Sequence, residues 1–196
     1  MLTRRLFVAS IVGTIGIGLS VLAGWIFDVP LLRSVIPGAV EMKANSALGL
    51  VFSAAALIIL ERYPGPPMQR IGWAIAALVA ALGLATLWEY ASGWQLGIDE
   101  LLFRDTGTAF NAIRGRMSPY SAVAFACIGV AIAAYPWRRL RSVTIFGGVV
   151  VLLTGGVSLV GYLWNAKEFT TDHWLPPVAV NSGVAFLLLG MATLLA

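Results

Sequence analysis

Charged residues, cysteine and histidine are all scarce in this chain of 196 residues. Only 11% of the residues are charged, whereas soluble domains average about 25%. The mean hydropathy is +0.88. These values exclude a water-soluble domain and predict an integral membrane protein. The single cysteine, Cys127, lies inside an apolar run, so the sequence offers neither a disulfide framework nor a thiolate metal cluster.

The single histidine, His173, restricts the cofactors that the chain can hold. Haem b between helices usually takes two histidine ligands, and a protein-built zinc site takes several Cys or His ligands. We interpret His173 as a solvated loop residue, with a single axial haem ligand left open. The sequence also carries no nucleophile–base pair and no phosphate-cradling glycine loop. We therefore predict no enzyme activity, no metal and no resident cofactor, although grooves between helices could hold lipid or pigment.

Six apolar segments have nearly the length of a membrane-spanning helix, which is about 20 residues for about 30 Å of hydrocarbon. They cover residues 6–27, 44–60, 71–91, 119–136, 142–163 and 178–196. The second, fourth and sixth are the short ones and should stand more upright. The sequence thus predicts an all-α membrane protein with six transmembrane helices in a single domain, 1–196.

Basic residues are concentrated on one side of these segments. Short connections and the N-terminus carry seven arginines and one acid: Arg4, Arg5, Arg62, Arg70, Arg138, Arg139, Arg141 and Glu61. Lys and Arg in short loops mark the cytoplasmic side, so we predict that both termini are cytoplasmic. A pI of about 9.6 could also indicate nucleic-acid binding. Because the basic residues flank apolar segments, we interpret them as topology signals and predict no nucleic-acid partner.

A motif recurs three times along the chain, in Met42–Leu50, Met117–Phe125 and Val178–Phe186. In each copy a serine precedes a bulky apolar residue by four positions. Each copy also follows a glycine–aromatic pair that closes the previous apolar run: Gly24-Trp25, Gly93-Trp94 and Gly161-Tyr162. This periodicity predicts three repeated helical hairpins, over about 6–60, 71–136 and 142–196.

Polar residues of the motif open the second, fourth and sixth segments. They are Asn45, Ser46, Tyr120, Ser121, Asn181 and Ser182. One interpretation is N-capping combined with close helix packing, which small hydrogen-bonding residues favour. The alternative is that the three sets converge on a central polar site near the outer face.

Glu89 is the most informative ionisable residue, because it lies at the outer end of the third segment between Trp88 and Tyr90. Acids near membrane depth are costly and often functional. One hypothesis is a ligand- or proton-sensing carboxylate in an aromatic-lined pocket. The alternative is an interfacial acid that caps a helix N-terminus or pairs with Arg114 or Arg116. The candidate ligand-binding residues are Glu89, Tyr90, Trp94 and Asp99.

The second outer loop contains apolar and acidic residues that segregate over 96–104, which predicts a short interfacial helix. Asp99 and Glu100, with Asp105, could instead bind a divalent cation through oxygen ligands. Because the two acids are adjacent and Arg104 lies beside them, we favour the amphipathic turn.

Several of these segments together carry a resemblance to a known family. They are Pro37–Leu48, Leu87–Tyr90, Gly93–Phe103 and Gly115–Ala122. The chain resembles the multi-helix membrane module at the N-terminus of bacterial PAS-containing sensor histidine kinases and diguanylate cyclases. The resemblance implies a multi-pass protein of the bacterial inner membrane, non-catalytic by itself, which anchors a sensor or supplies its signal input. Its third unit departs from the family pattern at Asn181-Ser182.

The apolar run that reaches Ala196 leaves two interpretations of the partners. The chain is either the membrane part of a longer receptor with a cytoplasmic output domain, or an accessory structural subunit. In the second case its helices would pack against partner subunits of a larger respiratory or photosynthetic complex. Membrane lipid is an expected partner in both.

Overall fold

The computed structural model of the protein describes residues 1–36, 39–105, 113–164 and 178–196, and all regular structure within them is helical. The α-helices are α1 (Leu2–Ile26), α2 (Pro30–Arg33), α3 (Ala44–Arg62), α4 (Pro66–Ser92), α5 (Pro119–Ala134), α6 (Arg141–Leu163) and α7 (Val180–Leu195). A single 3-10 turn, Arg138–Leu140, precedes α6. Each predicted apolar segment overlaps one long helix.

Four helical stretches are long and apolar enough to cross a membrane, which indicates a transmembrane protein. They are α1, α3, α4 and Arg138–Leu163. The apolar helices α5 and α7 have 16 residues each. At 1.5 Å per residue such a helix reaches only about 24 Å, less than the hydrocarbon thickness of about 30 Å. Both therefore leave room above or below them for other parts of the chain.

Proline and glycine set several helix ends. Pro66 and Pro119 lie in the first turns of α4 and α5, where a missing N–H costs no helical hydrogen bond. Ser118 caps α5, because its side chain accepts a hydrogen bond from the Ser121 N–H. Gly93 ends α4 in the left-handed conformation, with φ of 74°.

Successive long helices run antiparallel, and α3, α5 and α7 form the interior. Leu50, Phe125 and Phe186, one from each of these helices, are fully buried. The Phe125 and Phe186 rings meet edge to face with centroids 5.3 Å apart. In contrast, only about a third of the apolar stretches of α1, α4 and α6 is buried within the protein (33%, 33% and 28%), against 61% for α3. The outer three helices therefore present apolar faces to the surroundings.

Each outer helix approaches its inner partner through a glycine that has no room for a side chain. The contact glycines are Gly18 in α1, Gly83 in α4 and Gly155 in α6, and a Cβ on each would collide with a carbonyl oxygen of Ala47, Ala122 or Gly183, respectively. These three carbonyl residues each follow the motif serine by one position. A close backbone contact of the same kind thus occurs between α1 and α3, between α4 and α5, and between α6 and α7, the geometry that small residues permit between membrane helices.

The contact glycines correct one pairing that the sequence predicted. Seven residues after each contact glycine stands an aromatic residue: Trp25, Tyr90 or Tyr162. The Trp25 Nε1–H donates to the Met42 carbonyl at 3.0 Å, and the Tyr90 hydroxyl donates to the Met117 carbonyl at 3.0 Å. Tyr90, rather than Trp94, therefore corresponds to Trp25. The sequence comparison paired Trp94 with Trp25 because both follow a glycine. It did not take into account where along α4, the longest helix of the described chain, the aromatic side chain faces its inner partner.

Candidate functional site

Charged residues are buried together at one end of the bundle, where α4 ends and α3 and α5 begin. This polar cluster comprises Lys43, Glu89, Tyr90, Asp99, Asp105 and Arg116. The charged side chains are 0–10% exposed, with Glu89 at 0% and Arg116 at 2%. Because a buried charge is costly unless it is paired, the contacts within the cluster decide whether this end of the molecule is stable.

Arg116 joins three members of the polar cluster. Its Nε donates a hydrogen bond to Asp99 Oδ2 at 2.8 Å, and its Nη2 lies 3.3 Å from Glu89 Oε2. The guanidinium group also lies over the Tyr90 ring, 5.3 Å from the centroid, which is favourable for a cation. The loop, the end of α4 and the segment before α5 are thereby fixed to one another.

Lys43 and Asp105 form the second ion pair of the cluster, 62 residues apart in sequence. The same carboxylate oxygen, Asp105 Oδ2, accepts a hydrogen bond from the Gly115 N–H at 2.9 Å. Gly115 has φ of +69°, and a Cβ there would lie 2.6 Å from the Asp99 carbonyl oxygen. Glycine is therefore required for the chain to turn between the two ion pairs.

The predicted interfacial helix over 96–104 is wrong, because these residues form turns and bends. The Leu96 N–H donates to Glu89 Oε1 at 2.6 Å, and the Asp105 N–H donates to Glu100 Oε1 at 2.8 Å. Side-chain acceptors thus replace the carbonyls that a helix would supply. The acids weighed as cation ligands have protein partners instead: Asp99 binds Arg116, Glu100 binds a backbone N–H, and Asp105 binds Lys43 and Gly115.

The ligand-binding candidates from the sequence separate into two groups. Glu89, Tyr90 and Asp99 meet at Arg116, in agreement with the alternative that Glu89 pairs with Arg116. Trp94 lies apart from them, 69% exposed, with its backbone N–H donating to Ser92 Oγ at 3.2 Å. Sequence reasoning missed Lys43 and the central position of Arg116. The signal available for each is its position at a motif copy, since Lys43 is the second residue of the first copy and Arg116 directly precedes the second.

Burial raises the pKa of Asp99, which lies outside the helices. Its hydrogen bond to Arg116 and the charge of that guanidinium act in the opposite direction and lower the pKa, whereas the negative charge of Glu89 raises the pKa further. Desolvation prevails, so Asp99 holds a proton to higher pH than an exposed aspartate does.

A small cavity lies where the inner helices begin. Its volume is about 10 Å³, and its lining includes Ser46, Ser121 and Ser182 together with Lys43 and Arg116. A cavity of that size has room for about one water molecule. The three motif serines therefore line one polar space.

The polar motif residues Asn45, Ser46, Tyr120, Ser121, Asn181 and Ser182 are the second and third residues of α3, α5 and α7, one or two positions inside the first helical residue. The N-cap positions are Lys43, Ser118 and Ala179, and only Ser118 forms a side-chain cap. Asn45 instead accepts from the Ser46 N–H at 2.7 Å, and the Asn181 side-chain amide donates to the Arg33 carbonyl at 3.0 Å. The motif residues lie inside the first helical turn, so their side chains contact neighbouring segments.

Arg33 organises a second group of contacts beside the polar cluster. Its Nη2 donates to Asp28 Oδ1 at 2.8 Å, and its Nε lies 3.8 Å from Glu41 Oε1. The guanidinium carbon lies 4.7 Å from the centre of the Trp25 ring, and that ring is 6.0 Å from Phe103. The segments that follow α1 and α4 thus pack on each other.

Some sequence predictions fall outside the described residues. They concern His173 and Pro37-Gly38 of the resemblance. Comparisons of the chain with models of protein families, with characterised proteins and with solved structures find no match.

Proposed function

We propose that the protein is a signal-input or anchoring module of a bacterial membrane sensor, non-catalytic by itself. In this proposal six helices span the inner membrane as three repeated hairpins, over about 6–60, 71–136 and 142–196, and both termini are cytoplasmic. The polar cluster then lies at the outer surface. A cytoplasmic output domain or partner protein receives the signal through helix displacement.

The observation that carries this proposal is the connection made by Arg116. One guanidinium group binds Asp99 of the outer loop and Glu89 of α4, and it precedes α5 by three residues. Any change in the loop that alters either contact acts on the relative position of α4 and α5. Buried ionisable groups in a membrane protein support a functional hypothesis, because their burial is otherwise unfavourable.

The opposite end of the bundle supports the orientation. We call it the arginine end, defined by Arg4, Arg5, Arg62, Arg70, Arg138, Arg139 and Arg141. Its connections are short, and positive charge in short loops favours the cytoplasmic side. There the Tyr135 hydroxyl donates to the Ala196 backbone oxygen at 3.2 Å, so the C-terminal ends of α5 and α7 lie together where a signal would leave the membrane.

Purification of the protein from its native membranes in mild detergent, with identification of everything recovered, tests the proposal. We expect recovery alone, or as part of a polypeptide that carries a kinase or cyclase domain. Stoichiometric recovery with a large energy-converting complex would contradict the proposal and favour the accessory-subunit alternative. A tag at Ala196 that is accessible only from the outside would contradict the orientation.

A further inference from the structure

Two buried carboxylate oxygens of the polar cluster have no hydrogen-bond donor in the described chain. They are Glu89 Oε2 and Asp99 Oδ1. The other oxygen of each group is well satisfied, by the Leu96 N–H at 2.6 Å and by Arg116 Nε at 2.8 Å. Glu89 Oε2 lies 3.3 Å from Arg116 Nη2, an ion pair without hydrogen-bond geometry. Buried acceptors of this kind normally find a donor, so these two oxygens call for a further hydrogen.

The two carboxyl groups also meet at one guanidinium group, because Asp99 Oδ2 lies 2.8 Å from Arg116 Nε and Glu89 Oε2 lies 3.3 Å from Arg116 Nη2. Two ionised carboxylates cannot hydrogen-bond each other, because both only accept. A proton on one of them supplies the donor and satisfies both orphaned oxygens. The same proton also balances the net charge of the three side chains. Glu89 and Asp99 share Arg116, so the three groups together carry one excess negative charge when both acids are ionised. One bound proton makes them neutral.

We propose that Glu89 and Asp99 form a proton-binding pair, in which one proton from the outer aqueous phase is shared between Glu89 Oε2 and Asp99 Oδ1. On binding, an O–H bond forms on one carboxyl group, and that hydrogen is donated to the other. On release, the proton returns to water and two carboxylates face each other across one guanidinium group. As a signal, this chemistry makes external pH the stimulus, and that step rests on the proposed function.

The groups around the pair determine its charge balance. From the segment before α5 comes Arg116, and from α4 comes Tyr90, whose ring stacks under that guanidinium. Lys43 forms an ion pair with Asp105. Asp105 also accepts a hydrogen bond from the N–H of Gly115, the residue before Arg116. Glu41, which lines the same cavity as Arg116, lies against Arg33. Glu100 of the loop is exposed and accepts from the Asp105 N–H.

Loss of the proton has a mechanical consequence. Like charges would then repel across the contact that joins the outer loop to α4, while Arg116 remains attached to the start of α5. The elevated pKa of Asp99, caused chiefly by burial, agrees with proton retention by the closed arrangement. Raising the outer pH therefore favours a state in which the loop and α4 have separated.

Infrared difference spectroscopy tests proton binding directly. The full chain in lipid nanodiscs is titrated from acid to alkaline pH, and the C=O stretch of protonated carboxyl groups is followed. We expect a carboxylic acid band that disappears as pH rises and is missing from both Glu89→Gln and Asp99→Asn. Glu100→Gln is the matched control and should retain the band. A band that persists in both variants of the pair, or no band at any pH, would overturn the proposal.

A distance measurement separates this proton site from the signalling function. In a Cys127→Ser background, spin labels replace the exposed residues Arg70 and Arg139 at the arginine end. We expect the label-to-label distance to change across the pH range in which the infrared band titrates, and Asp99→Asn to abolish that change. A titrating band without any distance change would leave the proton site standing and contradict transmission of the signal.

Discussion

The two ends of the bundle differ in how their charged side chains are stabilised. At the arginine end the side chains are exposed: Arg62 is 45% exposed and contacts its neighbour Glu61 at 3.1 Å. At the other end the polar cluster is buried, and its ion pairs among the described residues join positions 17 to 62 apart in sequence. Water solvates the first set at little cost, whereas the second set depends on protein partners. Charge at one end is solvated, and charge at the other holds distant segments of the chain together.

The largest difference between the two ends should appear on removal of one arginine from each. Arg116→Met leaves Glu89 and Asp99 buried without their cation, and we expect a loss of about 3–5 kcal/mol in the free energy of unfolding. The matched control, Arg62→Met, should cost at most about 1 kcal/mol, because its pair is exposed. Unfolding of the purified protein in detergent micelles measures both. Equal losses would contradict the comparison.

Steric contact between helices provides the next contrast. Gly83→Ala places a methyl group against the Ala122 carbonyl and the backbone of Ala126, and we expect a loss of about 1–3 kcal/mol through overpacking. At Gly16 no atom lies within 4 Å of the position that a Cβ would take, so Gly16→Ala should leave stability unchanged or raise it by up to about 1 kcal/mol. The opposite signs are measurable by thermal unfolding; a loss at Gly16 would show that its surface is covered.

A smaller effect distinguishes two corresponding tyrosines. Tyr90→Phe removes the hydrogen bond to the Met117 carbonyl, for which we expect a loss of about 1 kcal/mol. The Tyr162 hydroxyl is buried and has no hydrogen-bond partner among the described residues, so Tyr162→Phe should be neutral or slightly stabilising. Chemical denaturation of the two variants side by side checks the difference. A larger loss of stability in Tyr162→Phe than in Tyr90→Phe would contradict this prediction.

The smallest effect concerns pH. The folded state raises the pKa of Asp99 above the ordinary value of 3.8, so it binds a proton that the unfolded chain has already released. The contribution of Asp99 to stability is therefore fully present below pH 3.8 and declines as pH rises through the folded-state pKa. Asp99→Asn should flatten the dependence of the unfolding temperature on pH over that window. An unchanged slope would contradict the assignment.

The sequence was sufficient to predict the helices but not the contacts between their ends. Apolar length located α3 and α6 to within two residues, because each needs only a continuous run of suitable side chains. The Lys43–Asp105 pair joins segments 62 residues apart, and no local pattern specifies it. The loop over 96–104 has an amphipathic pattern, yet Glu89 and Glu100 bind its backbone N–H groups and a helix does not form. Tertiary hydrogen bonds here override local preference.

The cavity shared by the three motif serines has a consequence for the hydration of the inner helices. It is only partly enclosed and has room for about one water molecule, which can therefore enter from solvent and bind the serine side chains. Because α3, α5 and α7 each contribute one of these serines, a shift of any one helix changes the side chains that a single water can bridge. Substitution of Ser182 by a residue that fills this space would therefore replace water-mediated contact among three helices by direct packing.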